Sequence, residues 1–247
     1  MTTTLHRVVH ASVLLDFAGA RILTDPWFAE RPGYRHGEPT AYASGADLPE
    51  LAGVVISHGH HDHCDVAGLA AYRDKAVPIA TIAGVGRRLR AAGFTNVVEL
   101  APWQTVDFGP VRVTATPARH GVPESTFVLT GDGHSVFFGA DTLRIPELDE
   151  VARRFDLDLA LLPINGLRIR PFNRQVVMDA EQAAELTRAL RPRYAVPIHY
   201  AFTAGPVGDR LFVRHERLRP DRFADAVAAL APETAVRVLE TGVLLTL

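Results

Sequence analysis

Residues 53–65 read GVVISHGHHDHCD, an apolar run that leads directly into four histidines and two aspartates. The run 53–56 is short and apolar and contains three β-branched residues, which is typical of a buried strand. Gly59 favours a turn soon after that strand. We therefore expect the histidines to lie on a loop at a strand end, where their side chains can converge.

The spacing within this loop is typical of a site for divalent metal ions. Its pattern is His58-x-His60-x-Asp62-His63, and imidazole nitrogens and carboxylate oxygens are good ligands for an ion such as zinc. Two histidines two positions apart can reach one ion, while Asp62 and His63 turn towards a second ion beside it. The alternative is a solvated histidine-rich loop or an artificial metal-binding tract. The interleaved aspartate and the well-patterned flanks favour the metal site.

Three further candidate ligands follow strand patterns later in the chain. His120 comes after VRVTATPAR, Asp141 after SVFFGA and His199 after YAVPI. In an open α/β sheet, the carboxyl ends of strands bring together side chains from distant parts of the sequence. We expect these three residues to join the histidine loop, although each histidine taken alone could be an ordinary surface or capping residue.

The rest of the chain alternates short strand patterns with helical patterns, which predicts an α/β fold with residues 1–247 in a single domain. Residues 12–17 and 21–25 read as two strands joined by a tight turn. Residues 235–240 and 242–247 read as a closing hairpin. No repeat of solenoid length and no low-complexity linker interrupts this order.

Composition argues against several classes of partner. The 247 residues carry 26 Lys and Arg against 28 Asp and Glu, a formal net charge of −2, so no surface-wide positive field would gather nucleic acid.

The N-terminus lacks a signal-peptide pattern and no apolar run is long enough to span a bilayer, so we expect a cytoplasmic protein that is not integral to a membrane. Cys64 is the only cysteine, which excludes an internal disulfide and agrees with a reducing compartment. We expect a small-molecule substrate as the partner. The sequence leaves open whether the chain forms a homo-oligomer.

The stretch SHGHHDH, followed by single His, Asp and His ligands in that order, resembles the signature of the metallo-β-lactamase superfamily. Further details resemble the branch that contains ascorbate-6-phosphate lactonase and the N-acylphosphatidylethanolamine phospholipase D enzymes: HASVLLDFAGARILTDPWF, Asp65 after the signature, PARH, MDAEQAAEL and PIHY. The resemblance implies an αβ/βα four-layer sandwich in which two mixed sheets are flanked by helices. It also implies two divalent metal ions, with zinc first and manganese or iron as alternatives.

The resemblance further implies how seven ligands are divided between the two ions. The first ion would be held by His58, His60 and His120, the second by Asp62, His63 and His199, and Asp141 would bridge them. One departure concerns Ala140, because relatives commonly have glycine directly before the bridging aspartate, whereas this chain has Gly139 one position earlier. We therefore expect a slightly different backbone approach at Asp141.

This ligand set predicts hydrolysis. Two cations that share a water lower its pKa, so a hydroxide is available at neutral pH to attack a carbonyl carbon or a phosphorus atom. Asp62 could orient this water and carry a proton to the leaving group. Asp25 could accept a hydrogen bond from a ligand imidazole, or it could simply occupy a strand-end turn before Pro26. Tyr200 could donate a hydrogen bond to a developing oxyanion, or it could be a packed aromatic residue.

Two arginine-rich segments, 164–174 and 209–219, indicate an anionic substrate, because the forked donors of arginine suit phosphate or carboxylate. The candidate substrate-binding residues in these segments are Asn165, Arg168, Arg170 and His215. A solvated face whose arginines pair with acidic helices is at least as good an interpretation. His10 lies in a stretch that resembles the branch, and it could line the pocket.

We therefore predict a metal-dependent hydrolase of a small, anionic ester, lactone or phosphodiester. One alternative keeps the fold but has a different chemistry: the enzyme would catalyse a redox reaction or a tailoring step in biosynthesis, with iron or zinc. A second alternative is a metal-dependent binding module without turnover. Bound iron, with loss of activity on zinc substitution, would favour the first alternative, and the complete ligand set argues against the second.

Overall fold

Two seven-stranded β-sheets form the centre of the computed structural model, which describes residues 2–247. In spatial order, the first sheet consists of β17 (Leu244–Thr246), β1 (Thr4–Val9), β2 (Ser12–Phe17), β3 (Ala20–Thr24), β4 (Gly53–Val55), β5 (Ile79–Thr81) and β6 (Val97–Glu99). The second consists of β16 (Ala235–Val236), β14 (Tyr194–Ile198), β11 (Leu159–Pro163), β10 (His134–Phe138), β9 (Thr126–Gly131), β8 (Val111–Thr116) and β7 (Thr105–Phe108). A small third sheet consists of β13 (Arg174–Gln175), β12 (Arg168–Ile169) and β15 (Val213–Arg214).

Both large sheets are mixed. In the first sheet, the neighbours from β17 to β3 are antiparallel and those from β3 to β6 are parallel. In the second sheet, the neighbours from β7 to β10 are antiparallel and those from β10 through β11 and β14 to β16 are parallel. Parallel neighbours need crossover connections, and these bring helices onto the sheet faces.

The described residues contain six α-helices and two short 3₁₀ turns. The helices are α1 (Val66–Leu69), α2 (Gly86–Ala91), α3 (Asp149–Arg154), α4 (Ala180–Leu190), α5 (Gly205–Leu211) and α6 (Pro220–Leu230), and the 3₁₀ turns are Gly45–Asp47 and Pro146–Leu148. Across residues 2–247, none of these helices combines the length and the apolar content needed to cross a membrane.

Apolar side chains from both sheets form a shared core. Leu15 and Ile22 of the first sheet are buried in the same cluster as Phe127 and Leu161 of the second. Because successive side chains of a strand point to opposite faces, each sheet also presents apolar residues outward. The two sheets therefore each need a cover on the outer face.

Helices provide that cover. Leu69 of α1 and Leu89 of α2 are buried with the outer face of the first sheet. Leu186 of α4 and Phe223 of α6 are buried with the outer face of the second sheet. The layer order of helix, sheet, sheet and helix confirms the predicted four-layer α/β sandwich with two mixed sheets.

The C-terminal strands differ from the sequence prediction. β16 pairs in parallel with β14, and β17 pairs antiparallel with β1, so the closing hairpin predicted over residues 235–247 was wrong. Each strand instead completes the edge of a different sheet, where backbone donors and acceptors are available. The predicted pair at the start of the chain is confirmed as β2 and β3, with Gly19 in their turn at a φ of 102°.

Candidate metal centre

The loop after β4 places His58 and His60 side by side. His58 Nε2 lies 2.9 Å from His60 Nδ1, and His120 Nε2 lies 3.4 Å from the same His60 atom. His120 comes from the loop after β8, on the other sheet. One ligand nitrogen from each of the three histidines falls within 4.8 Å of the others, as binding to one shared ion requires.

Backbone contacts determine which ring atom His120 presents. Its Nδ1–H donates to the carbonyl oxygen of Val176 at 2.7 Å, so Nε2 is the atom that faces the other two histidines. His61 behaves differently, because its Nε2–H donates to the Ala29 carbonyl at 2.7 Å. The ring of His61 therefore packs against the loop and does not join the cluster.

A second cluster joins Asp62 and His63 to His199 and His10, with one ligand atom of each within 4.8 Å of the others. His10 Nε2 lies 3.5 Å from Asp62 Oδ2, and the rings of His10 and His199 have centroids 3.9 Å apart. The tight turn between β1 and β2 carries His10 into the site, and Glu38 accepts a hydrogen bond from its backbone N–H at 2.8 Å. His10, which the sequence suggested as a pocket residue, thus lies within the second cluster.

Asp141 lies between the two clusters. Its Oδ1 is 2.9 Å from His199 Nε2 and 3.2 Å from His63 Nε2, while its Oδ2 is 3.9 Å from His120 Nε2. Burial alone would raise the pKa of Asp141, but His199 and His63 hold this pKa well below its usual range. An ionised carboxylate thus faces both groups of ligands, which is the arrangement that a bridging ligand needs.

Asp25 supports His63 from the side away from the cluster centre. Its Oδ2 accepts hydrogen bonds from His63 Nδ1 and from the Ser57 hydroxyl, each at 2.6 Å, and its Oδ1 accepts one from the Ser57 backbone N–H at 2.7 Å. The contact keeps the imidazole proton on Nδ1 and leaves Nε2 free to bind an ion. The hydrogen bond to an imidazole is thus present, and Asp25 also lies directly after β3 and before Pro26, so its role in support of a metal ligand stays a prediction.

Replacement of Asp25 by asparagine is expected to lower the affinity for zinc by about 10- to 100-fold. The amide N–H₂ of asparagine would face Nδ1 of His63 as a donor, which moves the imidazole proton to the nitrogen that must bind the ion. Asp16→Asn is the matched control, because Asp16 pairs with Arg21 on a partly exposed part of the first sheet. Competition with a chelator measures both affinities, and wild-type affinity in Asp25→Asn would contradict this role.

Glu124 is a buried carboxyl group that the sequence analysis missed. Its Oε1 accepts a hydrogen bond from the Asp141 backbone N–H at 2.7 Å and lies 3.6 Å from His58 Nδ1. Burial and the charge of Asp141 hold the pKa of Glu124 well above its usual range. A lone glutamate between Pro123 and Ser125 forms no pattern by which sequence alone could single it out. Its contacts identify it as a positioning residue.

The donor atoms of the two clusters fit divalent metal ions. Several are buried without a hydrogen-bond partner: both ring nitrogens of His10 and His199, His63 Nε2, Asp62 Oδ1 and Asp141 Oδ1. Burial and the neighbouring His199 lower the pKa of His10 to about 3, so its ring is neutral and able to act as a ligand. Bound cations would satisfy these otherwise unfavourable buried atoms.

Four residues of the site have a left-handed backbone. They are His10 at a φ of 57°, Asp25 at 33°, Ala140 at 45° and His199 at 56°. This conformation costs a non-glycine residue about 1–2 kcal/mol, and such strain is commonly found at functional sites. The conformation of Ala140 explains why glycine suits the position before Asp141, and alanine adopts it here nonetheless.

A family model described as the β-lactamase superfamily domain matches residues 20–200. The matched range contains the histidine loop together with His120, Asp141 and His199. The chain belongs to the metallo-β-lactamase superfamily. Among solved structures of similar fold is Igni18, a metallo hydrolase from the hyperthermophilic archaeon Ignicoccus hospitalis, with a TM-score of 0.78 at 25% identity over 100% of this chain and 99% of that one.

Relatives that align with this chain over nearly their whole length are named as hydrolases. A UPF0173 metal-dependent hydrolase of Opitutus terrae is 30% identical over 246 residues, covering 94% of this chain and 95% of the relative. Another, from Nitratidesulfovibrio vulgaris, is 28% identical over 249 residues, covering 96% and 92%. The protein is a metal-dependent hydrolase of the metallo-β-lactamase superfamily. The resemblance to the lactonase and phospholipase D branch stays a prediction.

A cavity of about 410 Å³ opens onto this metal centre. The ligand side chains in its lining are His60, Asp62, His120 and Asp141. Within the described residues, the lining does not include the four substrate residues predicted from the arginine-rich segments, namely Asn165, Arg168, Arg170 and His215. Arg168 donates to the Gln175 side chain, Arg170 to the Val213 carbonyl, and His215 contacts Asp209. Asn165 accepts a hydrogen bond from the Leu167 N–H. Arg168 and His215 line a different cavity, so the substrate roles of these four residues stay a prediction.

Tyr200 also lies outside the cavity lining. Its hydroxyl donates to the Leu239 carbonyl at 3.4 Å, and the Arg7 guanidinium lies 4.8 Å from its ring centroid, which matches the packed aromatic of the two interpretations. Tyr34 does line the cavity and was missed. Burial and the charge of Asp62 raise the pKa of Tyr34, so its phenol remains a hydrogen-bond donor at neutral pH.

Proposed function

We propose that this hydrolase uses a dinuclear metal site. His58, His60 and His120 would hold one ion, and Asp62, His63 and His199 would hold the other together with His10. The observation that carries the proposal is the place of Asp141, whose two carboxylate oxygens face the two clusters separately. Imidazole and carboxylate donors suit zinc first, and they also bind manganese or iron.

The ions would supply Lewis acidity and activated water at neutral pH. Asp62 lines the cavity and has one carboxylate oxygen without a hydrogen-bond partner, so it can orient a water and carry a proton to the leaving group. Tyr34 lines the same cavity, and its hydroxyl can donate to negative charge that develops on the attacked group. Asp25 and Glu124 hold the ligands His63 and Asp141 in place.

The bonds proposed for cleavage are those of esters, lactones and phosphodiesters. Each offers a carbon or phosphorus atom that water can attack and an oxygen leaving group that a proton from Asp62 would stabilise. An anionic substrate, predicted from the arginine-rich segments, is not needed for this proposal, because those arginines are not among the residues that line this cavity. They stay candidates for an anionic group bound elsewhere on the surface.

Removal of metal by a chelator is expected to abolish hydrolysis, and zinc or manganese is expected to restore it. The reason is that the described cavity lining contains no cysteine or serine to serve as a nucleophile, so attack depends on activated water. Elemental analysis before and after treatment, with a panel of esters, lactones and phosphodiesters, measures both effects. We expect about two ions per chain in the active form.

Other outcomes of this experiment would favour the alternatives. Full activity of the stripped protein would contradict a metal-dependent mechanism. Activity restored by iron alone, with consumption of dioxygen, would support redox chemistry. Two bound ions without turnover of any substrate in the panel would support a binding module.

A further inference from the structure

The cavity at the metal centre combines a polar end with apolar walls. The polar end consists of ligand side chains from the two clusters. The walls include Leu167, Ile169, Val176, Phe202, Phe212 and Val213. Most of these residues belong to the small third sheet or to the segments next to it, so this part of the chain forms the surface that a substrate would contact beyond the metal centre.

The walls offer no cation to a substrate. Among residues 2–247, no lysine or arginine belongs to the lining, and the neighbouring Arg168 donates at 2.7 Å to Gln175. A carboxylate or phosphate at the far end of a substrate would lose its water here without gaining a partner of opposite charge. An alkyl chain would instead gain roughly fourfold in affinity for each CH₂ group that it buries.

We propose that these walls bind the uncharged, apolar acyl chain of a carboxylic ester or lactone, with the scissile group at the polar end. The inference rests on the proposed function for the position of the scissile group, and it extends that function by naming the substrate class. A volume of about 410 Å³ lies within the range of small-molecule pockets.

Alkyl hydroxamates test the walls without turnover, because the hydroxamate group chelates a metal ion and carries the chain as its substituent. With the zinc-loaded protein, affinity measured by titration calorimetry is expected to rise roughly fourfold per CH₂, from acetohydroxamate until the cavity is filled. Succinic monohydroxamate has the chain length of butyrohydroxamate but ends in a carboxylate. It is expected to bind about tenfold more weakly than butyrohydroxamate.

Ile169→Lys tests the same walls by adding a cation. Ile169 is 42% exposed on β12, so a lysine there can keep its ammonium group hydrated without opening the core. The variant is expected to lose about tenfold in affinity for octanohydroxamate and to bind succinic monohydroxamate more tightly than the wild type does. Phe172→Lys is the matched control, because Phe172 is 91% exposed on the connection between β12 and β13 and lies outside the lining. It should leave both affinities unchanged.

Two results would overturn the proposal: affinities that do not depend on chain length, or equal responses of Ile169→Lys and Phe172→Lys. The p-nitrophenyl esters of the same acids report separately on the proposed function. Hydrolysis that improves with chain length would support both proposals. A chain-length gain in hydroxamate affinity without hydrolysis of any ester would support apolar walls and contradict ester cleavage, so the two failures are distinguishable.

Discussion

Asp141→Ala is expected to weaken the binding of both metal ions, by on the order of 100-fold or more for each. The two oxygens of this carboxylate approach different clusters, with Oδ1 at 2.9 Å from His199 Nε2 and Oδ2 at 3.9 Å from His120 Nε2. Alanine removes a ligand from each ion at once. It also leaves the buried imidazoles without their shared anion, which further disfavours binding of two cations close together. Titration with zinc, followed by elemental analysis, gives the number of ions bound and their affinities.

His58→Ala is the comparison for this experiment, because His58 lies in the cluster with His60 and His120, whereas Asp141 lies between the two clusters. The variant is expected to lose one ion, together with part of the stability that metal binding adds, and to keep the second ion. If Asp141→Ala also kept one ion at wild-type affinity, Asp141 would not be a bridge and the dinuclear proposal would fail.

Asp62→Asn is expected to lower kcat by about 10²- to 10⁴-fold at saturating zinc. Asparagine has almost the same shape as aspartate, but its amide cannot take up and deliver a proton in the way a carboxylate can. Asp62 lines the cavity and is nearly buried, with one carboxylate oxygen free of hydrogen bonds. Because the proton transfer occurs in the transition state, we expect KM to change much less than kcat.

His61→Ala is the control for Asp62→Asn, since His61 lies in the same loop but directs its ring to the Ala29 carbonyl. Steady-state kinetics at several zinc concentrations should show kcat near the wild-type value for this variant. Metal content is measured in parallel, because Asp62 also belongs to the second cluster. An Asp62→Asn enzyme with wild-type kcat would show that another group carries the proton.

The sequence was informative about the site where its pattern is local. His58, His60 and His63 share one loop, and His120, Asp141 and His199 each follow a strand. The place of such residues depends on strand direction alone, because strand ends that point the same way meet at one edge of the fold. The layers could be anticipated from the resemblance and from the alternation of strand and helix patterns.

Long-range packing determined what the sequence did not reveal. His10 joins the cluster because the turn between β1 and β2 approaches β14, where the His199 backbone N–H donates to the His10 carbonyl at 3.5 Å. Glu124 can position Asp141 only because the fold buries the two residues next to each other. No short-range sequence pattern marks either position, so a single sequence does not identify these two residues as part of the site.

The side chains that face the cavity could not be predicted from the sequence, for a simpler reason. Arg168 and Ile169 are neighbours on β12, and successive side chains of a strand point to opposite sides. Ile169 faces the cavity, whereas Arg168 faces Gln175. The sequence showed the arginines clearly but not which side of a two-residue strand would face the cavity, so the predicted anionic substrate stays a prediction.

The left-handed backbone at His10, Asp25 and His199 imposes two requirements on each of these positions. Glycine would relax the main chain but would remove the imidazole or carboxylate. A β-branched residue would disfavour the left-handed conformation and would also lack that imidazole or carboxylate. These positions therefore tolerate very few replacements, whereas Ala140 can become glycine without losing a polar atom. A mutational library aimed at new substrates should leave the three invariant and concentrate its diversity on the third sheet.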